Sequence, residues 1–155
     1  LGTLGFFNKD GKQYKLDNTT PDICDVYESI VNSYNSGHEF FILEASSQGL
    51  AQGRLNTLTY DYTVFTNLTH DHLDFHKTME NYAECKKILF NMIRPGGKAI
   101  INYDDSNKNK FILDYNKNQE IKRLKKLMSE ESDSVKKAQI LEKIRLVKMG
   151  SETND

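Results

Sequence analysis

The chain has 155 residues, with 21 Lys or Arg against 22 Asp or Glu and a formal net charge of −1. That length supports one globular domain with a real core and is short for two. The near-zero charge argues against a dedicated nucleic-acid binder, no apolar run approaches the roughly 18–20 residues of a membrane span, and two cysteines, Cys24 and Cys85, are too few for a disulfide framework, so a reducing, cytoplasmic setting is the default.

Leu1-Gly2-Thr3 carries no basic flank and does not read as a signal peptide, and without a Met it suggests a piece of a longer chain. Leu4 to Phe7 and Gln13 to Leu16 flank Asn8-Lys9-Asp10-Gly11, which predicts a hairpin whose Asp-Gly supplies the positive φ of a tight turn. After the loop Asn18-Thr19-Thr20-Pro21, a helix starts at Pro21 or Asp22. Ile23, Val26, Tyr27, Ile30 and Val31 recur in it at helical spacing, and Gly37 stops it. Phe40-Phe41-Ile42-Leu43 is a short continuous apolar run, which predicts a strand covered on both faces. Tyr62 to Phe65 predicts a second strand. Met79 to Ile93 predicts a second helix, with Tyr82, Cys85, Leu89 and Met92 on one face and Pro95-Gly96-Gly97 as its stop. Ala99 to Ile101 predicts a third strand. Alternating buried strands and amphipathic helices indicate an α/β domain with a mainly parallel sheet flanked by helices.

Ligands of such sheets bind at the carboxyl ends of the strands, and each strand here runs straight into polar residues: Glu44-Ala45-Ser46-Ser47, then Thr66 to Asp74, then Asn102 to Asp105. Loops are wet, so polar strand ends have a bland explanation too. The densest cluster is His70, Asp71, His72, Asp74 and His76, whose side chains are the usual ligands of divalent ions. One loop cannot turn all five inward, and no H-E-x-x-H occurs. Glu44 ends an apolar run, where a carboxylate is costly unless it is paired or binds a cation such as Mg²⁺. Lys86 reads first as a solvated helix lysine, and Arg54 as a fork for carboxylate or phosphate. There is no G-x-x-x-x-G-K-[ST], no G-x-G-x-x-G and no G-x-S-x-G.

Taken together, the motifs are more specific. Leu-Gly-Thr-Leu-Gly at 1–5, Asn-Thr-Thr-Pro at 18–21, Leu-Glu-Ala-Ser-Ser-Gln-Gly-Leu at 43–50 and Arg54 occur in order. They are followed by Phe-Thr-Asn-Leu-Thr-His-Asp-His-Leu-Asp-Phe-His at 65–76, Tyr-Ala-Glu-Cys-Lys at 82–86 and Ile-Asn-Tyr-Asp-Asp at 101–105. Over residues 1–115 this ordered set strongly resembles the central, ATP-binding domain of the Mur ligases. Within them it is most similar to the branch that adds the third amino acid, L-lysine or diaminopimelate, to UDP-MurNAc-L-Ala-D-Glu. The resemblance implies a cytoplasmic, ATP-dependent, amide-forming ligase of peptidoglycan synthesis. Such an enzyme phosphorylates the substrate carboxylate and lets an amine attack the acyl phosphate. It also implies roles. Glu44 and His72 match Mg²⁺ ligands, and Lys86 matches the lysine that the family carbamylates for a second Mg²⁺. Thr19, Thr20, Ser46 and Arg54 match contacts to the UDP-muramyl substrate, with Gln52 a weaker match. Asp71 and Asp74 would fix the histidine loop, and Gln48 stands where a His is common. The family's Gly-Lys-Thr phosphate loop would precede Leu1. Without it the chain alone is expected not to turn over ATP, because the backbone amides that cradle the phosphates are missing.

Residues 116–155 follow no motif of that family. They hold 10 Lys or Arg against 7 Asp or Glu, a net of +3, and none of the 16 Phe and Tyr. Ile121, Leu124, Leu127 and Met128 form one stripe. Val135, Ala138, Ile140 or Leu141, Ile144 and Val147 form another after a break at 129–134. That predicts an αα-hairpin, either a solvated extension or a surface seeking a helix partner. Two competing readings remain at this level: a metal-dependent phosphohydrolase built on His70–His76, and a non-catalytic domain that binds a UDP-sugar or a partner.

Overall fold

The computed structural model describes residues 1–8 and 10–149, and among these the chain forms two compact units. Residues 1–58 and 70–89 make the first; 59–69 and 90 onward make the second. The boundary between Tyr115 and Asn116 falls inside a single helix, and residues 150–155 of the tail lie outside the described residues.

In the first unit, β1 (Phe6–Phe7) and β2 (Gln13–Tyr14) pair antiparallel, Phe6 opposite Tyr14 and Phe7 opposite Gln13. The strands are shorter than the sequence suggests. Asn8 explains the turn: its Oδ1 accepts from the amides of Asp10 and Lys12 at 3.1 and 2.9 Å, and Gly11 takes the positive φ, 74°. Lys9, part of the expected turn, lies outside the described residues. Helix α1 (Ile23–Asn35) begins at Asp22, whose carboxylate accepts from the amide of Cys24 at 3.1 Å. Its buried face is Val26, Ser29 and Ser33, whereas Tyr27 and Val31 of the expected stripe are exposed. The two serines tolerate burial because each hydroxyl donates to the carbonyl four residues back, Asp25 and Ser29, at 2.8 Å.

The run Phe40–Leu43 does not become a doubly covered strand. Phe40 and Ile42 are 77% and 81% exposed. The segment carries one ladder step: the Leu1 ammonium donates to the Ile42 carbonyl and the Glu44 amide to the Leu1 carbonyl, both at 2.9 Å. Those two bonds bracket Leu43 in the pattern of parallel pairing. With no second step among the described residues, the run stays extended without being a ladder strand. Short helices α2 (Ser47–Ala51) and α3 (Leu73–His76) and most of α4 (Met79–Asn91) complete this unit.

In the second unit, β3 (Tyr60–Phe65) and β4 (Ile93–Ile101) pair in parallel, with Tyr62 opposite Lys98 and Val64 opposite Ile100. Pro95-Gly96-Gly97, expected as a helix stop, forms an irregularity inside β4 instead, because α4 has already ended at Asn91. At Gly97 a Cβ would stand 2.9 Å from the Asp61 carbonyl oxygen, so the close approach needs a glycine. Helix α5 (Lys108–Glu130) covers one face of the sheet. Phe111, fully buried, stacks on Phe65 at 3.8 Å between ring centres, and Tyr115 donates to the Gly97 carbonyl at 3.1 Å. Lys122 donates to the carbonyls of Asn91, at 3.1 Å, and Ile93. The expected helical hairpin then follows. Asp133 accepts from the amide of Val135 at 2.8 Å and starts α6 (Ser134–Met149), which packs on α5 with Leu124 and Ile144 buried. Leu127, Val135 and Leu141 of the expected stripes are exposed. No described helix is long and apolar enough to cross a membrane.

Candidate functional site

All the residues singled out from the sequence as catalytic or binding fall in the first unit. Glu44, expected at a buried strand end, is exposed. Its charge is held by hydrogen bonds instead. The amide and hydroxyl of Thr3 donate to the same oxygen, Oε2, at 2.8 and 2.7 Å, and Oε1 accepts none among the described residues. The Thr3 hydroxyl, then its amide, hold the Glu44 carboxyl below its ordinary pKa. Gly2 makes room for this clamp: a Cβ there would stand 2.5 Å from the Glu44 carboxyl carbon.

Thr20 is the knot beneath Glu44. It is fully buried, and its hydroxyl donates to the Glu44 carbonyl at 2.9 Å while accepting from the Ser46 amide at 2.8 Å. Its own carbonyl accepts from Arg54 Nη1 at 2.7 Å. Thr19 is next to it, with its hydroxyl 3.2 Å from that of Thr3. Ser46 caps α2 by accepting from the Gly49 amide at 3.1 Å. The fold therefore joins Thr19, Thr20, Glu44, Ser46 and Arg54 into one hydrogen-bonded patch. Gln52 ends α2, exposed, its side chain without a hydrogen bond among the described residues. Within the patch Thr20 has both roles of its hydroxyl taken, whereas Arg54 uses one of its five N–H donors on Thr20.

The histidine cluster separates. His70 and His72 are exposed and His76 is 4% exposed. The single turn α3 is bounded by two residues with positive φ, His72 at 54° and Lys77 at 67°, a conformation that costs a side-chain-bearing residue free energy and turns the chain sharply. Asp71 secures the turn, accepting from the His72 amide at 2.8 Å, and its carboxylate is 3.6 Å from His72 Nε2. Asp74 contributes its carbonyl, which accepts from Lys77 Nζ at 2.6 Å. His76 Nε2 instead meets the hydroxyl of Ser47 at 2.8 Å. No group of three His, Cys, Asp or Glu among the described residues could hold a metal ion unaided.

Tyr82, which the sequence places on a helix face and at the head of the motif that ends in Lys86, is the centre of this region. The ring is 5% exposed; His76 stacks on it at 5.0 Å, His72 meets it edge-on at 5.9 Å, and Lys86 Nζ stands 5.1 Å from its centroid. Lys86 lies one helical turn beyond Tyr82, the one signal in sequence that they share a face. Lys86 is half-buried rather than solvated, and burial lowers its pKa, with the charge of Asp71 opposing. Burial likewise lowers the pKa of His76, with His72 and Lys86 acting the same way and Asp74 against. Elsewhere in the unit, a cavity of about 670 Å³ lies between the hairpin and α1, lined among others by Tyr14, Asp17 and Asp25 and by none of the candidate site residues.

The profile of the Mur ligase middle domain matches residues 1–152. The chain belongs to the Mur ligase family. The chain is 43% identical over 105 residues to the UDP-N-acetylmuramoyl-L-alanyl-D-glutamate–2,6-diaminopimelate ligase of Synechocystis, covering 68% of this chain and 21% of that one. It is 41% identical over 110 residues to the corresponding L-lysine ligase of Staphylococcus aureus strain COL, covering 68% and 22%. A solved structure of a UDP-N-acetylmuramoyl-L-alanyl-D-glutamate–2,6-diaminopimelate ligase matches with a TM-score of 0.57 and 37% identity, over 72% of this chain and 22% of that one. The chain thus spans about a fifth of the length of these Mur ligase relatives.

Proposed function

We propose that this chain is part of the central domain of an ATP-dependent ligase, a fragment that does not turn over ATP by itself. The reaction joins an amino acid, L-lysine or diaminopimelate, to UDP-MurNAc-L-Ala-D-Glu through an acyl phosphate. The observation that carries this reading is the family match, since both kinds of relative bear names for that activity at 41–43% identity. Such a ligase works in the cytoplasm on soluble, nucleotide-linked precursors of the cell wall.

The residues suit a Mg²⁺ ion in kind. Mg²⁺ takes one or two carboxylates and completes its shell with phosphate oxygens and water. Glu44 offers Oε1 while Thr3 fixes Oε2, and His72 offers an exposed imidazole. We assign both as ligands, with a carbamate on Lys86 for a second ion. Bound there, Mg²⁺ would offset the negative charge that develops on a transferring phosphoryl group.

The chain's own residues do the rest. Lys86 is kept by burial closer to its neutral amine. That neutral amine adds to CO₂ and releases one proton to give a carbamate anion; counted from the ammonium, two protons leave. Arg54, with donors to spare, is the fork for a carboxylate or phosphate of the UDP-muramyl substrate, and Thr19, Thr20, Ser46 and Gln52 set the loops it meets. Calorimetric titration with UDP-MurNAc-L-Ala-D-Glu tests the reading. Saturable binding, weakened at least about tenfold by Arg54→Ala through loss of a charge-assisted bond, is expected. No binding, or equal binding of the variant, refutes it.

A further inference from the structure

We propose that His76 is a positioning residue for Lys86, acting through a buried Ser47–His76–Tyr82 stack. Its functional consequence rests on the reading of Lys86 given above. Ser47 and His76 are each 4% exposed and are joined at 2.8 Å across 29 positions of sequence. The imidazole lies nearly parallel to the Tyr82 ring, 21° between planes, with Phe75 edge-on to it at 4.8 Å. Asn81 Nδ2 donates to the His76 carbonyl at 3.0 Å, so the corner between α3 and α4 is fixed as well.

The direction of the contacts gives the assignment. Ser47 stands next to Ser46 in the segment that carries Glu44, and Tyr82 carries Lys86 against its ring. The stack therefore ties the Glu44 segment to the Lys86 helix at one point. A Leu or Phe would fill the same space without the desolvation cost of a buried imidazole. What the imidazole adds is a directional bond to Ser47, which fixes the rotation and height of the ring on which Tyr82 rests. His76 is not a metal ligand in this arrangement, because Nε2 is already engaged and the ring is covered.

Amine-reactive ester labelling, mapped by mass spectrometry, reads the position of Lys86 directly, with exposed Lys98 as internal reference. His76→Phe keeps the stack and removes the bond; Ser47→Ala removes the bond from its other end. Both should raise labelling of Lys86 relative to Lys98 by about threefold or more, the scale of one neutral hydrogen bond. If His76→Phe fails to fold by circular dichroism, Ser47→Ala decides alone. Unchanged Lys86 labelling in a folded variant overturns the proposal, as does an equal rise at Lys98. A second readout is the carbamate carbonyl signal from ¹³C-bicarbonate, which should weaken in both variants. A carbamate signal in the parent chain that persists undiminished in the variants also overturns the positioning role. No carbamate in the parent chain, with Lys86 labelling still raised in the variants, supports the positioning and counts against the ligase reading instead.

Discussion

Thr20→Val is a sharp perturbation because it keeps the shape of the side chain and deletes only its hydroxyl. That hydroxyl satisfies two backbone groups at once, the Glu44 carbonyl at 2.9 Å and the Ser46 amide at 2.8 Å, from a residue with no exposed surface. An abandoned buried backbone group costs about 1–3 kcal/mol. Both bonds are only part-buried, so the lower half of that range, about 1–2 kcal/mol, applies to each and the sum is about 2–4 kcal/mol. For a chain of this size, at about 2–4 °C per kcal/mol, the sum corresponds to a fall in Tm of roughly 4–16 °C. Thr20→Ser is the control. It keeps the hydroxyl and loses a methyl that packs against Gly49, at a cost of about 1 kcal/mol. Urea unfolding followed by circular dichroism measures both. A Thr20→Val midpoint within error of the parent chain, or a Thr20→Ser variant as unstable as Thr20→Val, would show that the hydroxyl does not hold the Glu44 and Ser46 segments together.

Thr3→Val removes the hydroxyl that most lowers the Glu44 pKa and leaves the amide bond, so a ¹³C NMR titration should show the Glu44 carboxyl rising toward its ordinary value of 4.5. Because the folded pKa lies below the unfolded one, this contribution to stability is present above about pH 4.5 and is lost as pH falls through the folded value. The variant should therefore differ from the parent chain in stability at pH 7 and converge with it in acid, as read by thermal melts at several pH values. In the second unit, Phe111→Ala removes a ring with no exposed surface that stacks on Phe65, and should cost about 3–5 kcal/mol in chemical unfolding.

The elements most readable in the sequence are those whose cause is local. Asp22 and Asp133 start helices with their own side chains, Asn8 and Gly11 close a turn between short strands, and the short stretches Tyr62–Phe65 of β3 and Ala99–Ile101 of β4 find each other. Phe40–Leu43 misled because its residues describe a buried strand, while burial depends on neighbours that local pattern does not contain. Among the described residues Leu1 reaches it through one parallel step and Phe6 through a tilted ring contact with Phe41. The Pro95-Gly96-Gly97 break was visible, but not its use. Two glycines read equally well as the end of a helix or as room for a strand to bulge, and the Gly97 approach to Asp61 shows that the second applies.

The candidate site divides along the same line. Glu44, His72 and Lys86 stand out in the sequence because ordered motifs mark them, and Asp71 is expected there to fix the loop, whereas Thr3 on Glu44 and Ser47 on His76 are not visible in spacing. Thr3 reaches Glu44 over 41 positions and Ser47 reaches His76 over 29, distances at which sequence spacing carries no geometric information. The histidine cluster shows the consequence. Counting residue types puts His70, His72 and His76 on equal terms, yet a single turn with left-handed residues at both ends exposes the first two and buries the third. An exposed imidazole is available to a ligand. A buried one, with Ser47 on its nitrogen and Tyr82 on its face, is committed to geometry. The chemistry of the loop thus follows less from how many histidines it holds than from which of them the backbone turns away from solvent.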